Sequence, residues 1–231
     1  MKKPYIICHM MSSLDGRMDC AMTSKLAGVD EYYKTLEALQ TPTTLSGRVT
    51  AQLELAEPGE FHCKKQNPLD AEGFSKKTEA AGYSVIADTK GILLWKDAVL
   101  DGAPLLIVTS EQVGREYLAY LDEKQISWIA CGKERIDLAR ACEILAEEFG
   151  VSRMAVVGGG HINGSFLDAG LLDEISLLVG PGIDGRGGMP AVFDGLPMDR
   201  APVALKLNSI ASYDDGAVWL RYTVVPNRPI P

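Results

Sequence analysis

Three consecutive glycines, Gly158, Gly159 and Gly160, stand between an apolar run at residues 154–157 and a helical pattern that begins near Ile162. Glycine accepts positive φ and lets a backbone approach a ligand with no Cβ in the way. The N–H groups that open the helix, those of His161 and Ile162 included, combine with the helix dipole to suit a pyrophosphate. A tight strand-to-helix turn would use glycine too, but three in a row exceed what a turn requires. The segment is not a Rossmann fingerprint, because GxGxxG after the first strand and the acid about twenty positions later are both absent.

A second corner of this kind reads Ser46-Gly47-Arg48-Val49-Thr50. Gly47 ends a strand, and Arg48 and Thr50 fall in the first helical turn. That turn can set a guanidinium and a hydroxyl beside phosphate oxygens. An Arg at a helix start is also an ordinary surface residue. Two such corners in one chain are better explained by a dinucleotide diphosphate than by chance. Polar residues end two further strands, Thr89-Lys90 and Thr109-Ser110. They can serve the adenosine half, or be plain turn residues. A 2′-phosphate on Lys90 would favour NADPH over NADH.

These residues need strands to carry them. Residues 5–11, 43–46, 83–87, 105–109, 127–131, 154–157 and 174–179 are short apolar runs that read as buried strands. Residues 30–39 and 136–149 show helical spacing, and a helix at 162–169 ends at Gly170. Residues 61–82 are polar and irregular. Residues 204–212 and 218–225 flank Asp214-Asp215-Gly216, a hairpin signal. The pattern predicts one α/β domain over residues 1–231. Its central sheet is mostly parallel, flanked by helices, with an antiparallel C-terminal hairpin.

Composition narrows the function. The net charge of −8 argues against a nucleic-acid partner. Five cysteines without CxxC spacing read as reduced thiols of a cytoplasmic protein, and three scattered histidines give no metal motif. The N-terminal apolar run is too short for a signal peptide or a membrane span.

Four segments in order resemble the reductase domain of the bifunctional riboflavin-biosynthesis deaminase-reductase and its stand-alone relatives. They are residues 13–17 (SLDGR), 45–50 (LSGRVT), 157–174 (VGGG through SFLDAGLLDE) and 215–222 (DGAVWLRY). The glycine and Gly-Arg-Val-Thr segments also look like the cofactor phosphate sites of dihydrofolate reductase. The resemblance implies a dihydrofolate reductase-like fold, NADPH, and a homodimer built partly on the C-terminal strands. It implies reduction of a pyrimidine-like small molecule such as 5-amino-6-(5-phosphoribosylamino)uracil. The zinc motif of the deaminase half is missing, which excludes that activity.

By the same resemblance, the loop of Ser13, Asp15 and Arg17 lies between nicotinamide and substrate. Asp15 and Arg17 would bond a pyrimidine or a ribose phosphate. A proton donor, by comparison with dihydrofolate reductase, falls on Glu31, which is equally suited to favouring a helix dipole. Two departures touch the substrate side. The family's arginine-bearing stretch is replaced by residues 51–58 (AQLELAEP), and its glutamate before the paired glycines by Gly158. A dihydrofolate reductase proper, or a catalytically silent nucleotide-binding protein on this fold, are the alternatives.

Overall fold

The first apolar run carries no carboxylate, ammonium or guanidinium, and beyond Tyr5 its one polar side chain is His9, so it can lie inside a sheet. It forms β1 (Tyr5–Ser12), buried at every position after Tyr5. The structure, a computed structural model, describes residues 2–65 and 67–225. After β1 come α1 (Cys20–Thr23), α2 (Val29–Ala38), β2 (Thr43–Gly47), α3 (Arg48–Glu54), β3 (Gly73–Ser75), β4 (Ser84–Ala87), β5 (Val99–Leu100) and β6 (Ala103–Thr109). Then follow α4 (Arg115–Glu123), β7 (Ser127–Ala130), α5 (Leu138–Glu147), β8 (Arg153–Val156), α6 (Gly160–Asp168), β9 (Glu174–Val179), β10 (Leu205–Ser212) and β11 (Val218–Val224). The class is α/β, with mostly parallel strands, flanking helices and an antiparallel C-terminal pair, as the sequence pattern predicts.

The chain divides into two compact units. The first holds Pro42–Met154 and the N-terminal residues up to Pro4; the second holds Tyr5–Thr41 and the chain from Ala155 onward.

In the first unit β2, β4, β6 and β7 run parallel in that order, with β3 antiparallel on β7 and β5 antiparallel on β6. Strands buried on both faces need continuous apolar runs, which β4 and β6 have. Ile86, Leu105 and Ile107 pack with Trp95, Tyr117 and Leu121 in one core. Three elements here are not expected from the sequence, the two-residue strand β5 among them. The helix α4 buries Tyr117, Leu118 and Leu121 over only nine residues, a short stripe among charges. The strand β3 is three residues inside the irregular stretch 61–82. The helix α5 is capped by Asp137, whose carboxylate accepts from the Arg140 N–H at 3.0 Å.

In the second unit β1 and β9 are parallel, β11 is antiparallel to β9, and β10 closes the edge antiparallel to β11. A buried polar relay fastens this sheet. The His9 ring stacks on Tyr32 at 4.7 Å, and its Nε2 lies 3.2 Å from the Tyr32 carbonyl. That contact requires a donating Nε2–H, so Nδ1 accepts from Ser176 Oγ at 2.9 Å. Ser176 Oγ in turn accepts from Trp219 Nε1 at 2.8 Å. Buried Glu174 takes Arg221 Nε at 2.6 Å and the Tyr5 hydroxyl at 3.2 Å.

One face of the β10–β11 pair is mostly apolar, broken by Ser212 opposite Val218 at its end. Leu205 lies opposite Val224, Leu207 opposite Tyr222 and Ile210 opposite Leu220. A bulge between Leu207 and Ser209 restores the phase, since strict alternation would put Ile210 on the other face. Leu205, Leu207 and Ile210 are 44%, 46% and 59% exposed.

Candidate active site

In the first unit the carboxyl ends of β2 and β4 carry the expected cofactor residues. Arg48, Thr89 and Lys90 line one cleft of about 380 Å³, together with Glu60 and Ile92. Gly47 and Thr50 are not on its lining. Gly47 has extended φ, so its conformation does not demand glycine. Arg48 Nη1 donates to Gln52 Oε1 at 2.7 Å, one turn along α3.

The turn that offers Thr89 and Lys90 is held from both sides. On one side Asp88 Oδ2 accepts from Ile92 N at 2.7 Å and Leu93 N at 3.0 Å. On the other, the Thr89 carbonyl takes Thr109 Oγ1 at 3.0 Å and Ser110 Oγ at 2.9 Å. Thr109 and Ser110 are buried and serve this turn through their hydroxyls. Burial pushes the Asp88 carboxyl above its ordinary range, against backbone N–H groups and the Arg48 charge that draw it down. Asp88 Oδ1 has no partner among the described residues. Sequence reasoning missed Asp88, Glu60 and Ile92, because none belongs to a motif.

In the second unit the glycine segment opens α6, as expected, but each glycine has its own reason. Gly158 has φ +107°, and a Cβ there would meet the Met10 side chain at 3.0 Å. Its bond to Gly159 is cis. Gly160 lies against the chain at residues 191–194, where a Cβ would stand 2.4 Å from the Ala191 carbonyl oxygen. Gly164, one turn on, meets the Asp194 carbonyl oxygen at 2.0 Å in the same way. Asn163 Nδ2 ties α6 to the Val192 carbonyl at 2.8 Å. Packing alone therefore accounts for Gly160, and the ligand argument narrows to Gly158 and Gly159. His161 is exposed on α6 beside Gly195, and Ile162 is half-buried.

The Ser13–Arg17 loop is cross-tied to residues 182–191. Asp15 Oδ1 accepts from Ser13 Oγ at 2.6 Å and Asp184 N at 3.0 Å, while Oδ2 accepts from Gly185 N at 3.0 Å. The Ser13 hydroxyl, then these two N–H groups, hold the Asp15 carboxyl well below the usual range. Leu14 N donates to the Gly182 carbonyl at 2.7 Å, and Arg17 Nη1 to the Met189 carbonyl at 2.9 Å. Arg186 bridges Asp19 and Asp184. Arg17 Nε is a buried donor with no acceptor among the described residues. Met10 and Met11 are buried beside this loop, and His9 is consumed in the polar relay. Glu31 sits in the first turn of α2 and pairs with Lys34 at 2.7 Å; its side chain is 20% exposed against 66% for Lys34. No hydrogen bond or ion pair joins it to the Ser13–Arg17 loop among the described residues.

The model of the RibD C-terminal domain family matches residues 4–219. The chain belongs to that family. Among RibD C-terminal domain relatives, a 2,5-diamino-6-ribosylamino-4(3H)-pyrimidinone 5′-phosphate reductase of Methanothermobacter thermautotrophicus is 26% identical over 234 residues, covering 96% of this chain and 99% of its own. The enzyme of the same name from Archaeoglobus fulgidus is 26% identical over 208 residues, covering 84% and 87%. Among solved structures, a pyrimidine reductase-like protein from Corynebacterium diphtheriae superposes with a TM-score of 0.72 at 16% identity, covering 97% of this chain and 93% of its own. The Saccharomyces cerevisiae riboflavin biosynthesis reductase Rib7 gives 0.63 at 18% identity, covering 96% and 90%. These two show the RibD reductase fold. No helix among the described residues is long and apolar enough to cross a membrane.

Proposed function

We propose that the protein is a nicotinamide-dependent oxidoreductase that reduces 2,5-diamino-6-ribosylamino-4(3H)-pyrimidinone 5′-phosphate, a step of riboflavin biosynthesis. The observation that carries this reading is the family match over residues 4–219. The names of the two full-length relatives favour the diaminopyrimidinone over the uracil that the sequence resemblance implies.

The cleft residues fit a phosphate-bearing cofactor. Arg48 and Lys90 supply two cations and Thr89 a hydroxyl, around about 380 Å³ of space. This donor set supports NADPH, with Lys90 on the 2′-phosphate. When bound, the reduced nicotinamide supplies the hydride. Gly47 and Thr50 flank Arg48 at the start of α3 and complete that corner of the first unit. In the second unit the Gly158–Gly159 backbone, with Met10 against Gly158, and the opening of α6 at Gly160, His161 and Ile162 offer N–H groups suited to a phosphate.

Ser13 and Asp15 fix the substrate-side loop, and Arg17, held through Nη1 by the Met189 carbonyl, is its cation toward a substrate oxygen. An ionised Asp15 whose oxygens already take three hydrogen bonds is a positioning group and does not supply the proton. Glu31, half of an ion pair, stays the side-chain candidate for a proton relay, with water as the direct donor. We further propose a homodimer across the apolar β10–β11 face, and a cytoplasmic location, in keeping with five cysteines that have no CxxC spacing.

Mixing the protein with NADPH and the diaminopyrimidinone phosphate should consume both in equal amounts. Turnover of dihydrofolate in its place, or cofactor binding with no oxidation of either pyrimidine, would replace this reading by one of its alternatives.

A further inference from the structure

The cleft that carries Arg48 and Lys90 also contains a carboxylate, Glu60. No motif predicts it, and its position is built rather than accidental. The segment before it runs alongside the turn after β4: Glu57 N donates to the Leu94 carbonyl at 2.9 Å, and Phe61 N to the Ile92 carbonyl at 2.7 Å. The Phe61 ring anchors this segment against Tyr117 at 5.2 Å and Tyr120 at 5.1 Å. The backbone on either side of Glu60 is therefore held, and its exposed side chain lines the same cleft as Arg48 and the turn that Asp88 and Thr89 fix. Among the described residues neither Glu60 nor Lys90 makes an ion pair, so the three charges face the cleft without cancelling in direct contact.

Two cations and one acid treat the two nicotinamide dinucleotides differently. Arg48 and Lys90 attract a 2′-phosphate dianion, and Glu60 repels it. A ribose 2′-hydroxyl is a donor, and a carboxylate is the group that accepts from it in NADH-reading sites. We propose that Glu60 is a specificity-determining residue that restrains the preference for NADPH and lets the enzyme use NADH as well. The proposal rests on the reading of this cleft as the cofactor's adenosine-ribose site.

The test measures Kd for NADPH and NADH by calorimetry on the intact protein, beside kcat/KM with each. Glu60→Gln should tighten NADPH and weaken NADH, raising the NADPH-to-NADH ratio about fivefold, with the change shrinking as salt is added. Lys90→Ala should lower the ratio. An unchanged ratio in Glu60→Gln beside a lowered one in Lys90→Ala overturns the role of Glu60 and leaves the cofactor reading standing. If Lys90→Ala and Arg48→Ala alter neither cofactor's Kd, the cleft does not hold the cofactor and both fall.

Discussion

The Asp15 carboxylate and the Gly185 backbone N–H lie 3.0 Å apart, joining two loops separated by 170 residues of chain. With the Asp184 contact at 3.0 Å, this makes Asp15 the fastener of a double loop. A side chain that serves as fastener must stay charged, and its partners keep it so.

Removing that fastener should cost turnover before it costs cofactor binding. Asp15→Ala is expected to lower kcat roughly ten- to a hundredfold through lost alignment, with Kd for NADPH little changed. Because the carboxyl is held below its ordinary range, the fastener is intact at neutral pH and is lost only well below about pH 4. Steady-state kinetics paired with cofactor titration decide this. A variant with normal kcat would remove Asp15 from the substrate side.

His9 predicts how stability depends on acid. Burial is the largest cause lowering its pKa, from 6.5 to about 4. As pH falls below 6.5 the unfolded chain takes up the proton and the folded one does not. Stability is therefore complete above about 6.5 and declines toward about 4, by up to about 3 kcal/mol. Urea midpoints between about pH 7 and about pH 4.5 should show the decline in the wild type and a shallower one in His9→Gln. Equal slopes would mean that other groups govern it.

Gly160→Ala separates packing from phosphate binding. A Cβ 2.4 Å from the Ala191 oxygen cannot be accommodated without moving residues 191–194. We expect a loss of roughly 1–3 kcal/mol of stability, and a similar loss in Gly164→Ala, which no ligand argument touches. Thermal unfolding reads both. If Gly160→Ala were as stable as wild type yet blind to NADPH, the glycine would belong to the ligand after all.

The apolar face of the C-terminal strands predicts assembly. Ile210→Asp puts a charge on the most exposed of its three β10 residues. It should shift the protein from dimer to monomer in sedimentation velocity, with far-ultraviolet circular dichroism unchanged. A wild-type protein that sediments as a monomer at high concentration would argue for another occupant of that face.

The sequence made the alternation of elements readable because buried parallel strands must be apolar runs, and β1, β4, β6 and β9 are. It also marked the residues that meet in the cleft, since Arg48, Thr89 and Lys90 all fall at strand ends. Glu60 was illegible because it acts from a segment without periodicity, fixed by backbone bonds to Ile92 and Leu94. Asp88 was hidden for a related reason: its partners are N–H groups, which leave no signature in side-chain identity. In the glycine triplet, residue type alone does not separate a ligand's demand from a neighbour's. The triplet's third member answers to a neighbour, Ala191, that lies thirty-one positions away and is invisible until the chain is folded.

The one-residue phase shift in β10 makes what stands outside the ladder part of that strand's meaning. Side chains there can be exchanged one for another while the oily seam survives. Drawing Asn208 into regular pairing with Arg221 would instead turn everything beyond it over, putting Ser209 and Ala211 in the seam's place and presenting Ile210 to the far side. Deleting Asn208 would leave Ile210 opposite Leu220, so the seam rests on that residue staying out of register and not on its side chain.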